Sequence, residues 1–209
     1  MNYSIYLVTD SNCIGERPLL ECVEEALKGG VTLVQYRSKE TDGGIMYKDA
    51  LALRELCDKY QVPLIVNDRV DVALAVGAAG VHLGQDDLPC AVARKLVPEN
   101  FIIGVSAHNV EEALAAQKDG ANYLGCGAVF GSQTKNNVSS LGLEKLKSIR
   151  EAVAIPIVGI GGVTVENYAK VLATGANGAA IVSGILGVED IKSETEKFVN
   201  IVTLFSVKQ

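Results

Sequence analysis

The chain has 209 residues, 48% of them hydrophobic and 21% charged, with a formal net charge of −6 and an isoelectric point near 5.0. That apolar content supplies a sizeable core and excludes a disordered chain, and the acidic balance argues against nucleic acid as a partner. The cysteines (Cys13, Cys22, Cys57, Cys90 and Cys126) are odd in number and never spaced as CxxC, and no leader-like or membrane-length apolar run occurs, so a cytoplasmic protein with no membrane segment is expected.

The first apolar run, SIYLVTD (4–10), reads as a strand. LLECVEEALKGG (19–30) places Leu19, Cys22, Val23 and Leu27 on one helical stripe and stops on Gly29-Gly30. VTLVQYR (31–37) is a second strand delivering Gln35 and Arg37, with Lys39 just beyond. Spacing of i, i+2, i+4 predicts that these three share one strand face. Three polar groups turned into a protein interior are costly unless a charged ligand compensates them; the plainer alternative is a solvated strand end with an ordinary salt bridge. After a helical stretch, YKDALALRELCDKY (47–60), the strand VPLIVND (62–68) ends in Asn67 and Asp68. The fourth strand, GVHLG (80–84), is followed at once by Gln85, Asp86 and Asp87, and its His82 reads as a hydrogen-bonded core residue.

FIIGVSA (101–107) brings Ser106, with His108 just after it, and VEEALAAQKDG (110–120) is the next helix. NYLGCGAVF (122–130) runs into GSQTK, opening a long polar loop with Ser132, Thr134 and Lys135. LEKLKSIREAV (143–153) and VENYAKVLATG (165–175) are helical and flank the strand IPIVGIGG (155–162). The last strand, GAAIVSG (178–184), ends in Val182, Ser183 and Gly184.

Strand and helix alternate about eight times, and several strands are continuously apolar, as strands covered on both faces are. The expectation is a single domain over residues 1–209 folded as a closed (β/α)8 TIM barrel, with an open doubly wound sheet as the alternative. In such a barrel the strand C-termini and the loops after them form the active site. Asp68 and Asp87 then stand at the ends of neighbouring strands, where both carboxylates reach one Mg2+ beside phosphate oxygens. The rival assignments are a helix N-cap for Asp86 or Asp87 ahead of a helix containing Pro89, or a simple ion pair. Gly161-Gly162, paired with the VSG of the last strand, lets backbone amides approach a phosphate.

QYRSK, VND, HLGQDD, GVSAH, SQTK, GIGG and VSG, in that order along nearly the whole chain, resemble the thiamine-phosphate synthase family. The resemblance implies a transferase of small phosphorylated molecules. Such enzymes join 4-amino-2-methyl-5-(hydroxymethyl)pyrimidine diphosphate to 4-methyl-5-(2-phosphooxyethyl)thiazole, giving thiamine phosphate and diphosphate. By the same resemblance Gln35, Tyr36, Arg37, Ser38, Lys39, Asn67, Ser106 and Lys135 hold the pyrimidine diphosphate, with Arg37, Lys39, Ser106 and Lys135 catalytic. Ser132, Gln133, Thr134, Gly162, Val182 and Ser183 hold the thiazole phosphate, and Asp68 and Asp87 bind Mg2+. Tyr36 replaces a usual aliphatic residue, and strand alternation turns it away from its two neighbours. The chain also departs from the family at Gly131-Ser132, where Pro-Thr is usual, and at Ala128, where Pro is usual; Ser132 keeps the hydroxyl. A thiazole tautomerase-like isomerase and a non-catalytic phosphate-ligand sensor are the alternatives, and assembly into a homo-oligomer is left open.

Overall fold

A computed structural model describes residues 1–39, 41–131 and 140–207. Eight parallel strands close on themselves in sequence order: β1 (Ile5–Val8), β2 (Leu33–Tyr36), β3 (Leu64–Asn67), β4 (Gly80–Leu83), β5 (Ile102–Ala107), β6 (Tyr123–Gly127), β7 (Ile157–Ile160) and β8 (Gly178–Ile181). Every strand of the expected (β/α)8 barrel is present, and the seam that excludes an open sheet is the pairing of β1 with β8, Ile5 opposite Ala179 and Leu7 opposite Ile181.

Among the described residues ten helices surround this ring: α1 (Ser11–Ile14), α2 (Leu19–Gly29), α3 (Gly43–Lys59), α4 (Val70–Ala75), α5 (Cys90–Leu96), α6 (Val110–Lys118), α7 (Gly142–Ala152), α8 (Val165–Leu172), α9 (Ser183–Leu186) and α10 (Ile191–Ser206). No described helix is long and apolar enough to cross a membrane. The predicted stripe of α2 is buried at Cys22, Val23 and Leu27, and Gly30 ends the helix in the left-handed conformation (φ 105°) that glycine adopts without steric penalty. Pro89 lies just outside α5, as its N-cap residue, where its missing N–H and fixed φ do no harm.

The strands are apolar throughout because they have two cores to serve. Leu7, Val34, Val66, Val81 and Ile103 face the helices, while Tyr6, Val8, Leu33, Ile65, Tyr123 and Val158 fill the barrel interior. The helix layer closes over the seam through α10, whose buried Ile191, Thr195 and Phe198 lie under α2 and α8. Gly29 permits the close approach: a Cβ there would stand 2.6 Å from that of Thr195.

Candidate active site

Parallel strands put every C-terminal end at one mouth of the barrel, and the acids of β3 and β4 meet there. Asp68 follows β3 with φ 62°, a left-handed backbone that aspartate tolerates better than most residues. Its N–H donates to the His82 carbonyl (2.8 Å), which fixes it against β4. Asp87 folds back over the end of β4 and accepts from the Gly84 N–H (2.7 Å), so its carboxylate closes a turn instead of capping a helix.

The two carboxyl groups are close enough for Asp87 to bear on the ionisation of Asp68. Burial first, then the shared proton and the like charge of Asp87, push Asp68 up to about 6, against the opposing pull of Lys39 and Arg37. Above that value two carboxylates stand side by side in a half-buried site, a set of hard oxygens suited to a divalent cation with water or phosphate completing its shell. Among the described residues no group of three or more His, Cys, Asp or Glu side chains is placed to hold a metal ion.

Of the three polar residues expected on one strand face, only Gln35 lies within β2. β2 ends at Tyr36, so alternation governs Gln35 alone; it points into the barrel, 4% exposed, and its Nε2 donates to the Tyr6 hydroxyl (2.7 Å). Arg37 lies beyond the strand and pairs with Asp10 (3.0 Å), the salt bridge of the plainer alternative, while its N–H donates to Thr9 Oγ1 (2.9 Å). Lys39 is exposed, with its charge felt at Asp68. Tyr36 turns outward, as alternation required, and its hydroxyl donates to Asp49 on α3 (3.0 Å). The Tyr36 side chain therefore faces the helix layer, and only its backbone is turned toward the end of β2. The Ser38 hydroxyl shares a hydrogen bond with that of Thr41.

Asn67 is the last residue of β3, beside His82 in the ladder. Ser106, near the end of β5, has its hydroxyl on His82 Nε2 (3.1 Å) and its carbonyl held by Gln85 Nε2 (2.5 Å). His108 turns to the surface and pairs with Glu112 (2.9 Å). Across the mouth, Gly161 (φ 97°) and Gly162 (φ 66°) follow β7, and the Phe130 N–H donates to the Gly161 carbonyl (3.1 Å), tying the ends of β6 and β7 together. Val182 and Ser183 stand at the start of α9, after β8 has ended at Ile181. Ser132, Gln133, Thr134 and Lys135 lie outside the described residues.

Asp10 and Thr9, which hold Arg37, were not expected from the sequence. Their signal was present: YLVTD ends an apolar run in an acid as LIVND does. Tyr6 and Tyr123 were also missed, because a tyrosine in an apolar strand reads as packing.

The pattern of the family described as thiamine monophosphate synthase matches residues 5–185. A thiamine-phosphate synthase of Clostridium acetobutylicum is 48% identical over 208 residues, covering 100% of this chain and 99% of that one. One from Ruminiclostridium cellulolyticum is 48% identical over 96% of each. The solved structure of a thiamine phosphate pyrophosphorylase from Pyrococcus furiosus superimposes with a TM-score of 0.90 at 43% identity, over 98% of this chain and 97% of that one.

Proposed function

The chain belongs to the thiamine monophosphate synthase family and is an alkyl-transferring enzyme that makes thiamine phosphate; from that premise we propose how its own residues carry the reaction. Neither an isomerase nor a sensor is named among the relatives described above. The reaction joins the pyrimidine diphosphate to the thiazole phosphate: a C–O bond to diphosphate breaks, and a C–N bond to the thiazole nitrogen forms.

Asp68 and Asp87 hold Mg2+. The observation that carries this reading is the paired carboxyl groups at the barrel mouth, one of them pushed up to about 6 by burial and by the other. When bound, Mg2+ neutralises charge on a departing diphosphate and so makes it a better leaving group. Arg37 and Lys39 share that task through charge-assisted hydrogen bonds, joined by Lys135 on the grounds of the family resemblance. Asn67, the last residue of β3 and next to Asp68, takes a diphosphate oxygen.

Gln35 and Ser106 hold the pyrimidine ring, whose amino group feeds electron density to the CH2 that diphosphate leaves. A dissociative substitution needs no enzyme nucleophile; the Ser106 hydroxyl meets His82 Nε2 (3.1 Å), but the other ring nitrogen of His82 faces the Tyr123 hydroxyl (3.0 Å) and not the carboxylate of a hydrolase triad. Gly162, Val182 and Ser183, with Ser132, Gln133 and Thr134, hold the thiazole phosphate, so the thiazole nitrogen has only to be aimed. Positioning of this sort supplies several kcal/mol of barrier reduction.

Diphosphate release from purified enzyme, both substrates and Mg2+ tests the reading. Asp68→Ala is expected to lower kcat/KM by at least about a hundredfold, the upper range for disturbing a metal site. Turnover equal to the parent enzyme would overturn the metal assignment.

A further inference from the structure

The barrel interior carries a polar line that the chemistry above leaves unused. Gln35 Nε2 donates to the Tyr6 hydroxyl (2.7 Å), and the Tyr6 and Tyr123 hydroxyls are 2.6 Å apart. The Tyr123 hydroxyl meets His82 Nδ1 at 3.0 Å, and His82 Nε2 meets Ser106 Oγ at 3.1 Å. Side chains from β2, β1, β6, β4 and β5 thus form one unbroken hydrogen-bonded chain across the inside of the barrel. Its middle members are sealed from solvent, Tyr6 at 1%, Tyr123 at 0% and His82 at 8% exposure. Its two ends are the residues assigned to the pyrimidine.

The backbone is hollowed to hold this chain. A Cβ on Gly104 would stand 2.1 Å from Tyr123 Cζ, and one on Gly125 would stand 3.0 Å from His82 Cε1. Neither glycine has a left-handed φ, so it is space, not backbone conformation, that excludes a side chain at Gly104 and crowds one at Gly125. Two strands have given up side chains to make room for a phenol and an imidazole.

Direction propagates along such a chain. Sealed between two hydroxyls, the His82 ring is held neutral by the cost of burying a charge, with one N–H and one bare nitrogen. With Gln35 Nε2 donating, Tyr6 gives its proton to Tyr123, Tyr123 gives its own to His82 Nδ1, and His82 Nε2–H donates to Ser106. The Ser106 proton is then left for a ligand. With the Gln35 amide reversed every donor reverses, and Ser106 commits its proton to His82. A mixed pattern either sets two buried donors or two bare acceptors face to face, or has Tyr6 accept from both neighbours and leaves its own proton buried without a partner, in each case at the penalty of an unmade hydrogen bond.

We propose that Tyr6, Tyr123 and His82 are positioning residues that lock the Gln35 amide and the Ser106 hydroxyl into one matched pattern for a heteroaromatic ring bearing both a donor and an acceptor. The proposal rests on the assignment of Gln35 and Ser106 to the pyrimidine substrate. It makes the interior of the barrel a specificity element.

Steady-state kinetics with each substrate varied test it, using Tyr123→Phe, Ser106→Ala and the double variant. A second cycle sets Tyr6→Phe against Gln35→Ala; both phenylalanine variants keep the ring and remove one hydroxyl. Each phenylalanine variant is expected to raise KM for the pyrimidine diphosphate about five- to tenfold, as loss of one hydrogen bond does, with KM for the thiazole phosphate unchanged. Within either double variant the phenylalanine change should add less than about twofold, because its partner is already gone. Independent, multiplying effects, or equal rises in both KM values, overturn the relay and leave the tyrosines as packing residues. An unaltered pyrimidine KM in Ser106→Ala is a separate outcome: it overturns the substrate assignment, and the proposal with it.

Discussion

Asp68 carries two constraints, a left-handed backbone and a carboxyl pressed against that of Asp87. Because its folded-state pKa, about 6, lies above the ordinary carboxylate value, the folded protein holds this proton more tightly than the unfolded chain does. The stability that the proton confers is present in acid and is lost as pH rises through about 6. Mg2+ competes for the same oxygens, so its gain in Tm should be small near about pH 5 and should grow once pH passes the carboxyl's titration. Calorimetry with and without Mg2+ checks this, and a gain independent of pH would contradict it. The acid pair was legible because two apolar runs end abruptly in carboxylates. The Arg37–Asp10 pair was not: its partners are 27 residues apart, and only the barrel's ladder of β1 beside β2 brings them together. The expected polar face reaches only Gln35 for a local reason, since β2 stops before Arg37 and alternation has no force beyond a strand's end, yet the charges of Arg37 and Lys39 are both felt at Asp68.

At the scale of elements, the glycines inside strands set how closely neighbours approach. Gly80 opens β4, and a Cβ there would lie 2.2 Å from the Ile102 carbonyl, a backbone atom that cannot swing aside. Gly80→Ala should therefore cost at least about 1–3 kcal/mol, read as a lower urea midpoint, whereas a neutral result would mean that β4 and β5 slide apart freely. The strands themselves were readable from continuous apolar runs bounded by turn residues. The four-residue helices α1 and α9 were not, because one helical turn has no periodicity to detect, and Ser183 consequently passed for the end of a strand.

For the molecule as a whole, the sequence pattern announced eight strand–helix units but left closure open, since β1 and β8 come from opposite ends of the chain. The seam depends on α10, whose Phe198 is fully buried and packs edge-on against Tyr168 of α8 at 5.3 Å between ring centres. Phe198→Ala should lower unfolding free energy by about 3–5 kcal/mol in urea titrations while leaving kcat of the folded fraction unchanged, because the cavity lies in the helix layer and not at the mouth. A drop in kcat without loss of stability would contradict that separation. A circle of strands also has no selvedge: each of the eight described strands has a partner on both flanks, so the barrel itself offers no template on which a foreign chain could zip. Closure of the ring and protection of its edges are here a single property, and whatever parts one join surrenders both.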